Sequence, residues 1–122
     1  MSRGRLLLVD DEEDIRRIAA LSLDRLGDWE VVTAGDAAGA LAAADDGAFA
    51  AVLLDVMMPD VDGPALLERM RPAIGPHVPV VFLTAKVQAA DVERLRGLGA
   101  AGVIAKPFDP VGLPDQLQRL LG

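Results

Sequence analysis

Two kinds of apolar run take turns along this chain. The first kind is short and unbroken: residues 6–9 (LLLV), 51–54 (AVLL) and 80–83 (VVFL). Runs of this length with no polar alternation read as strands buried on both faces. Residues 30–33 and 102–105 are shorter or weaker versions of the same signal. The second kind spreads its apolar positions at helical spacing. After the first strand, Ile15, Ile18 and Ser22 share one line, with Leu21 and Leu26 beside it, and Gly27 suits the left-handed position that closes a helix. Asp36 is placed to cap an alanine-rich helix that carries Leu41 and ends by Gly47. A loop holding Pro59, Asp60, Asp62 and Gly63 leads into a helix through Leu66, Leu67 and Met70, and Pro72, Gly75 and Pro76 are expected to break it. Val92 and Leu95 mark a fourth helix ending near Gly97 or Gly99. Leu113, Leu117, Leu120 and Leu121 mark a short fifth helix starting near Pro114, which a first turn tolerates.

The pattern is β-α repeated five times. It predicts an α/β fold: a doubly wound parallel sheet of five strands with helices on both faces. The 122 residues suit one domain, expected to span 1–122, and a 52% hydrophobic content supplies a core for it.

Charge and composition narrow the function. A net charge of −7 with no basic stripe argues against direct nucleic-acid binding. The absence of cysteine excludes disulfides, thiolate metal sites and cysteine nucleophiles. No stretch approaches a membrane span, and the four-residue apolar run near the N-terminus runs straight into acids, unlike a signal peptide. The expected setting is cytoplasmic.

The residues that end the apolar strands are the chemically interesting ones. Asp10 and Asp11 follow the first, Asp55 the third, Thr84 the fourth and Lys106 the fifth. In a parallel sheet these carboxyl ends share one edge, where ligands of such folds bind. Taken singly, each position is what any strand exit to solvent looks like. Taken together they are three acids, a hydroxyl and a lysine. Clustered carboxylates call for a hard divalent cation, and Mg2+ favours a few carboxylates with waters and phosphate oxygens. A hydroxyl and an ammonium suit the remaining oxygens of a phosphoryl group. A carboxylate can itself attack phosphorus to give an acyl phosphate.

Four segments, VDDEEDIR, LLDVMMPDVDG, VVFLTAK and GVIAKPFD, resemble the signature segments of response-regulator receiver domains of two-component signalling. The resemblance runs from about residue 6 to residue 121. It implies a flavodoxin-like sheet in the order 2-1-3-4-5. It also implies that Asp55 is the phosphoacceptor, that Asp10 and Asp11 hold Mg2+ with help from Asp55 and the backbone carbonyl of Met57, that Thr84 is the switch hydroxyl and that Lys106 contacts the phosphoryl group. Lys106-Pro107 corresponds to the family's cis peptide bond. The implied donor is a phosphohistidine on a histidine kinase or phosphotransfer protein, with small acyl or amido phosphates as substitutes. The only chemistry implied is uptake and loss of the chain's own phosphoryl group. The downstream partner is a protein target or an output domain outside this sequence, and a homodimer through the last helices is left open.

Three departures bear on mechanism. Val103 stands where the family carries an aromatic residue three positions before the lysine, and the chain has no tyrosine. Switching is therefore expected to use the Thr84 loop and the helix after it. Met57 and Lys86, two residues beyond Asp55 and Thr84, flank the path of an attacking water in the family, and Met57 cannot orient water. Slow self-dephosphorylation is the expectation. A phosphatase with an aspartyl intermediate would want an acid at Met57. A flavin or nucleotide carrier would want a glycine- or hydroxyl-rich loop where Asp10 and Asp11 stand. A receiver-like interaction module that is never phosphorylated would not need the complete set. Trp29 and Phe49 are expected in core or rim packing and His77 on the surface. Glu12, Glu13 and Asp14 are expected to be a helix start favoured by the dipole.

Overall fold

The computed structural model describes residues 2–122. Five strands and five helices alternate: β1 (Arg5–Val9), α1 (Glu13–Arg25), β2 (Glu30–Ala34), α2 (Ala37–Asp45), β3 (Ala51–Asp55), α3 (Gly63–Ile74), β4 (Val80–Thr84), α4 (Ala89–Gly97), β5 (Gly102–Ala105) and α5 (Leu113–Leu121). The strands are all parallel, in the order β2-β1-β3-β4-β5.

Side chains alternate across the sheet and build two cores. Leu7, Val9, Val52, Leu54, Val80 and Phe82 pack with residues of α2, α3 and α4. Leu6, Leu8, Leu53, Val81, Leu83 and Ile104 pack with Ala19 and Leu23 of α1 and Leu113 and Leu117 of α5. All twelve strand residues just named are fully buried, which is why those strands read as unbroken apolar runs. Trp29 and Phe49 are buried at opposite faces, as core packing requires, and His77 is exposed.

Local signals hold where they rest on capping. The Asp36 carboxylate accepts from Gly39 N at 2.7 Å and opens α2. Asp62 accepts from Ala65 N at 2.8 Å and opens α3, with Pro64 in its first turn. α5 begins at Leu113, with Pro114 in its first turn. Lys106-Pro107 is cis.

Three local expectations are corrected. Pro72 does not break α3, which runs on to Ile74. Lying in the last turn, it interrupts little, and the Arg71 guanidinium pins the exit from the helix by donating to Gly75 O at its C-cap and to Val78 O just before β4. Gly27 is not the left-handed residue after α1; Asp28 is, with φ 59°. Gly27 is needed for another reason: a Cβ there would stand 2.7 Å from Leu23 O and 3.1 Å from Pro114. The buried face of α1 is also different from the expected line. Ala19, Ser22 and Leu23 face inward, while Ile18, Leu21 and Leu26 are exposed. Ser22 tolerates burial because its hydroxyl donates to Pro110 O.

Among the described residues no helix is long and apolar enough to cross a membrane.

Candidate functional site

β1 lies between β2 and β3, so the chain crosses to opposite sides of β1 on its way into and out of β2. This reversal opens a crevice beyond the carboxyl ends of β1 and β3. Asp10 and Asp55 stand there at the end of the sheet ladder. Asp10 N donates to Ala34 O at 3.1 Å, and Asp55 is the last residue of β3, paired with Leu83. Thr84 ends β4, and Lys106 N donates to Thr84 O at 2.9 Å just past β5. Backbone ladders therefore fix the Cα positions of all four residues.

The side chains converge as the strand ends suggested. Asp10, Asp55 and Thr84 are buried, and Asp11 is half-buried. One carboxylate oxygen from each of Asp10, Asp11 and Asp55 falls within 4.8 Å of the other two. Lys106 Nζ is 2.9 Å from Asp10 Oδ2 and 3.4 Å from Asp55 Oδ1. The Asp10 contact is a short charge-assisted pair. Asp55 Oδ2 is buried and has no hydrogen-bond partner. Thr84 Oγ1 accepts from Lys86 N at 3.0 Å. Met57 N lies 3.4 Å from Asp55 Oδ1, while the Met57 side chain is exposed at the rim. A cavity of about 370 Å³ opens over Asp55, bounded by Met57, Thr84, Lys106 and Pro107.

Electrostatics follow from this packing. Burial, then the neighbouring charge of Asp10, raises the Asp55 carboxyl to about 6, against the opposing pull of Lys106. Burial alone would depress the Lys106 ammonium. The contact and charge of Asp10, with Asp55 and Glu12, outweigh it, and the ammonium is held above its ordinary value.

The donors fit a hard divalent cation: they are carboxylate oxygens, they are close together, and the buried Asp55 Oδ2 lacks a hydrogen bond. Three acids with one ammonium leave surplus negative charge that such an ion would neutralise.

Three residues at the site were not singled out by the sequence pattern. Glu12 lies at the N-cap of α1, yet its side chain does not cap the helix; Oε1 accepts from Lys106 Nζ at 3.2 Å. Arg16 Nη1 donates to Asp10 O at 2.7 Å and packs against Gly35, where a Cβ would stand 2.7 Å from the same nitrogen. Asp60 accepts from Ala37 N at 3.0 Å, which ties the loop after Asp55 to the start of α2. That N–H holds the Asp60 carboxyl below the usual carboxylate range. Only Glu12 carried a usable signal: glutamate is a poor N-cap, so its carboxylate is free to reach elsewhere.

The family model described as response regulator receiver domain matches residues 6–118. The probable transcriptional regulatory protein TcrX of Mycobacterium tuberculosis is 38% identical over 118 residues, covering 95% of this chain and 49% of TcrX. Response regulator Rre1 of Synechocystis is 39% identical over 119 residues, covering 95% of this chain and 51% of Rre1. The chain thus spans about half the length of the curated relatives it matches. Chemotaxis protein CheY4 of Vibrio cholerae superposes with a TM-score of 0.87 at 32% identity, covering 96% of this chain and 98% of that one.

Proposed function

The chain belongs to the response regulator receiver family, and on that footing we propose that it is a phospho-accepting switch that takes a phosphoryl group onto Asp55. The single observation that carries the reading is the buried Asp55 Oδ2, unpartnered under an open cavity with Lys106 beside it and Thr84 on the wall.

Asp10, Asp11 and Asp55 would hold Mg2+, with the Met57 carbonyl as a further ligand carried over from the family. Bound there, the ion supplies charge neutralisation for the phosphoryl oxygens. The rest falls to the chain's own groups. The Asp55 carboxylate is the nucleophile, so it must be ionised, and a cation beside it favours that form. Lys106 takes one phosphoryl oxygen, and the Thr84 hydroxyl donates to another. Positioning and electrostatics are nearly all that such a transfer requires.

The donor in this reading is a phosphohistidine of a histidine kinase or phosphotransfer protein. The acceptor of the signal is an output domain, as the transcriptional regulators among the relatives suggest, or a separate protein target. The setting is cytoplasmic, where kinase and target would meet the domain, and residues 1–122 act as one receiver unit. Turnover of a separate substrate is not part of the reading, because Met57 stands where a phosphatase would place its acid.

Incubation with Mg2+ and acetyl phosphate, followed by intact-mass measurement, tests it. The wild type is expected to gain one phosphoryl mass and Asp55→Asn none. A wild type that gains nothing overturns the reading.

A further inference from the structure

Glu12 is held by its backbone in a way that leaves its carboxylate no structural duty. Its N–H donates to Asp10 Oδ1 at 2.9 Å, and its φ and ψ of −81° and 111° place it just outside α1. The carboxylate could have accepted from the first N–H groups of the helix, but it does not. It reaches across the cavity mouth to Lys106 Nζ, with its own side chain 61% exposed. Lys106 already has Asp10 and Asp55 as counterions. Glu12 therefore adds negative charge that Lys106 does not need, at the point where a phosphoryl donor must enter.

The charge balance makes this consequential. With a divalent cation loaded, the carboxylates of Asp10, Asp11, Asp55 and Glu12 and the Lys106 ammonium leave one net negative charge. A neutral amide in place of Glu12 brings the pocket to zero.

We propose that Glu12 is a specificity-determining residue, a negative gate at the cavity mouth that selects against free, multiply charged phosphoryl donors. This rests on the reading of Asp55 as phosphoacceptor. A donor carried by a protein offsets the repulsion with contacts remote from the phosphoryl group, whereas a small anion has none to offer. The repulsion grows with the charge on the donor. One charge removed at roughly 6 Å in water changes the approach of a dianion about tenfold and of a monoanion about threefold.

The test compares acetyl phosphate, a dianion at neutral pH, with phosphoramidate, predominantly a monoanion. In each, a bond forms between phosphorus and an Asp55 carboxylate oxygen as the bond to the leaving group breaks. Acetate departs with its electron pair from the first, and ammonia from the already protonated nitrogen of the second. Initial rates of mass gain are measured for wild type, Glu12→Gln and Glu12→Asp at saturating Mg2+, at low and high ionic strength. Glu12→Gln is expected to raise the acetyl phosphate rate about tenfold and the phosphoramidate rate about threefold at low salt. The difference should shrink at high salt, where a Debye length of about 3 Å at 1 M screens an exposed charge. Glu12→Asp, which keeps the charge, should keep the wild-type ratio between donors. An unchanged ratio in Glu12→Gln, or a change that ignores salt, overturns the gate. Equal slowing with both donors also overturns it and makes Glu12 an orienting residue for Lys106. If wild type takes a phosphoryl group from neither donor, it is the phosphoacceptor reading that fails.

Discussion

Lys106 Nζ and Asp55 Oδ1 stand 3.4 Å apart, although β4 lies between the strands that carry them. The side chain of Lys106 is 12% exposed and reaches over the end of β4 to a carboxylate that is itself buried. A cation in that position holds Asp10 and Asp55 together against their mutual repulsion. Replacing Lys106 by methionine keeps the stem and removes the charge. Two buried acids then face each other uncompensated, a loss of roughly 3–5 kcal/mol when a buried pair is broken from one side. The expected result is a marked fall in urea midpoint at pH 7.5 in metal-free buffer, with recovery as the pH drops and Asp55 protonates. Loss of stability that is the same at pH 7.5 and pH 4.5 would show that packing of the stem, not charge, is what Lys106 contributes.

Asp55 gives the metal-free protein a pH dependence of its own. Its carboxyl sits at about 6 in the fold against an ordinary 3.8. Between these values the folded state binds more protons than the unfolded one, so stability falls as pH rises through that window. The contribution is fully present below about pH 4 and gone above about pH 6. A shift of this size corresponds to on the order of 3 kcal/mol. Asp55→Asn cannot ionise and escapes the loss. It is expected to be more stable than wild type at pH 7.5 by up to that amount and equal to it near pH 4. Denaturant melts across pH in chelator-treated buffer measure this. Added Mg2+ should raise the wild-type midpoint at pH 7.5 and move Asp55→Asn much less, because an ion that binds only the fold stabilises it in proportion to its affinity.

Much of this site was legible in the sequence because strands buried on both faces leave an unambiguous signal. Once residues 6–9, 51–54 and 80–83 are strands, Asp10, Asp55 and Thr84 must share an edge. Helix faces were harder. On α1 the larger residues Ile18 and Leu21 point outward, and the helix is seated through Ala19, Ser22 and Leu23. Hydrophobic periodicity weighs bulk, whereas close packing on a sheet also selects small residues, and a serine can be buried wherever a carbonyl such as Pro110 O meets it. Glu12, Arg16 and Asp60 were hard to find for a related reason, the poor capping power of glutamate being the one hint at Glu12. Each acts through a tertiary partner, namely Lys106, the Asp10 carbonyl and the Ala37 N–H, and none of these is near it in helical or strand spacing.

Gly63 sets the loop after Asp55. Its N–H donates to Val56 O at 2.7 Å, and a Cβ would stand 2.5 Å from Asp55 O and 3.0 Å from Val56 Cα. Backbone cannot yield as a flexible side chain would. Gly63→Ala is expected to cost roughly 1–3 kcal/mol of stability and to weaken Mg2+ binding by displacing Asp55. Isothermal titration with Mg2+ alongside urea melts separates the two effects. Wild-type Mg2+ affinity in the variant would show that the loop absorbs the Cβ without moving the carboxylate.

In the proposed phospho-switch, Val103 leaves no aromatic side chain three residues before Lys106 to take part in switching. Val103 is half-buried and packs against the α2, α3 and α4 face of the core. Thr84 Oγ1 accepts the Lys86 N–H, so a hydroxyl turned onto a phosphoryl oxygen pulls on the loop that leads into α4. Amide spectra with and without a beryllofluoride mimic are expected to change through residues 84–97 as well as around Asp55. Changes confined to the Asp55 pocket would sink this account.

If Asp55 takes up a phosphoryl group as proposed, Met57 is expected to bear on how long it lasts. Its backbone N–H faces Asp55 Oδ1 while its side chain, 60% exposed, stands at the cavity rim. A water attacking phosphorus in line must pass that rim, and a thioether is at best a weak acceptor, unable to hold it in place. Lys86 is exposed two residues beyond Thr84 and is an ammonium, which donates to water but cannot accept from it. Neither neighbour can draw a proton from the attacking water, so hydrolysis of the acyl phosphate should be slow. An asparagine at this position offers a carbonyl oxygen to orient the water. One such hydrogen bond, at about 1 kcal/mol net, shortens the lifetime roughly fivefold. The decay of phosphorylated Met57→Asn, followed by intact mass after donor removal, is expected to be faster than wild type by about that factor. An unchanged lifetime would mean that water access is set elsewhere in the pocket, and the reading of Met57 as the residue that slows dephosphorylation would have to be given up.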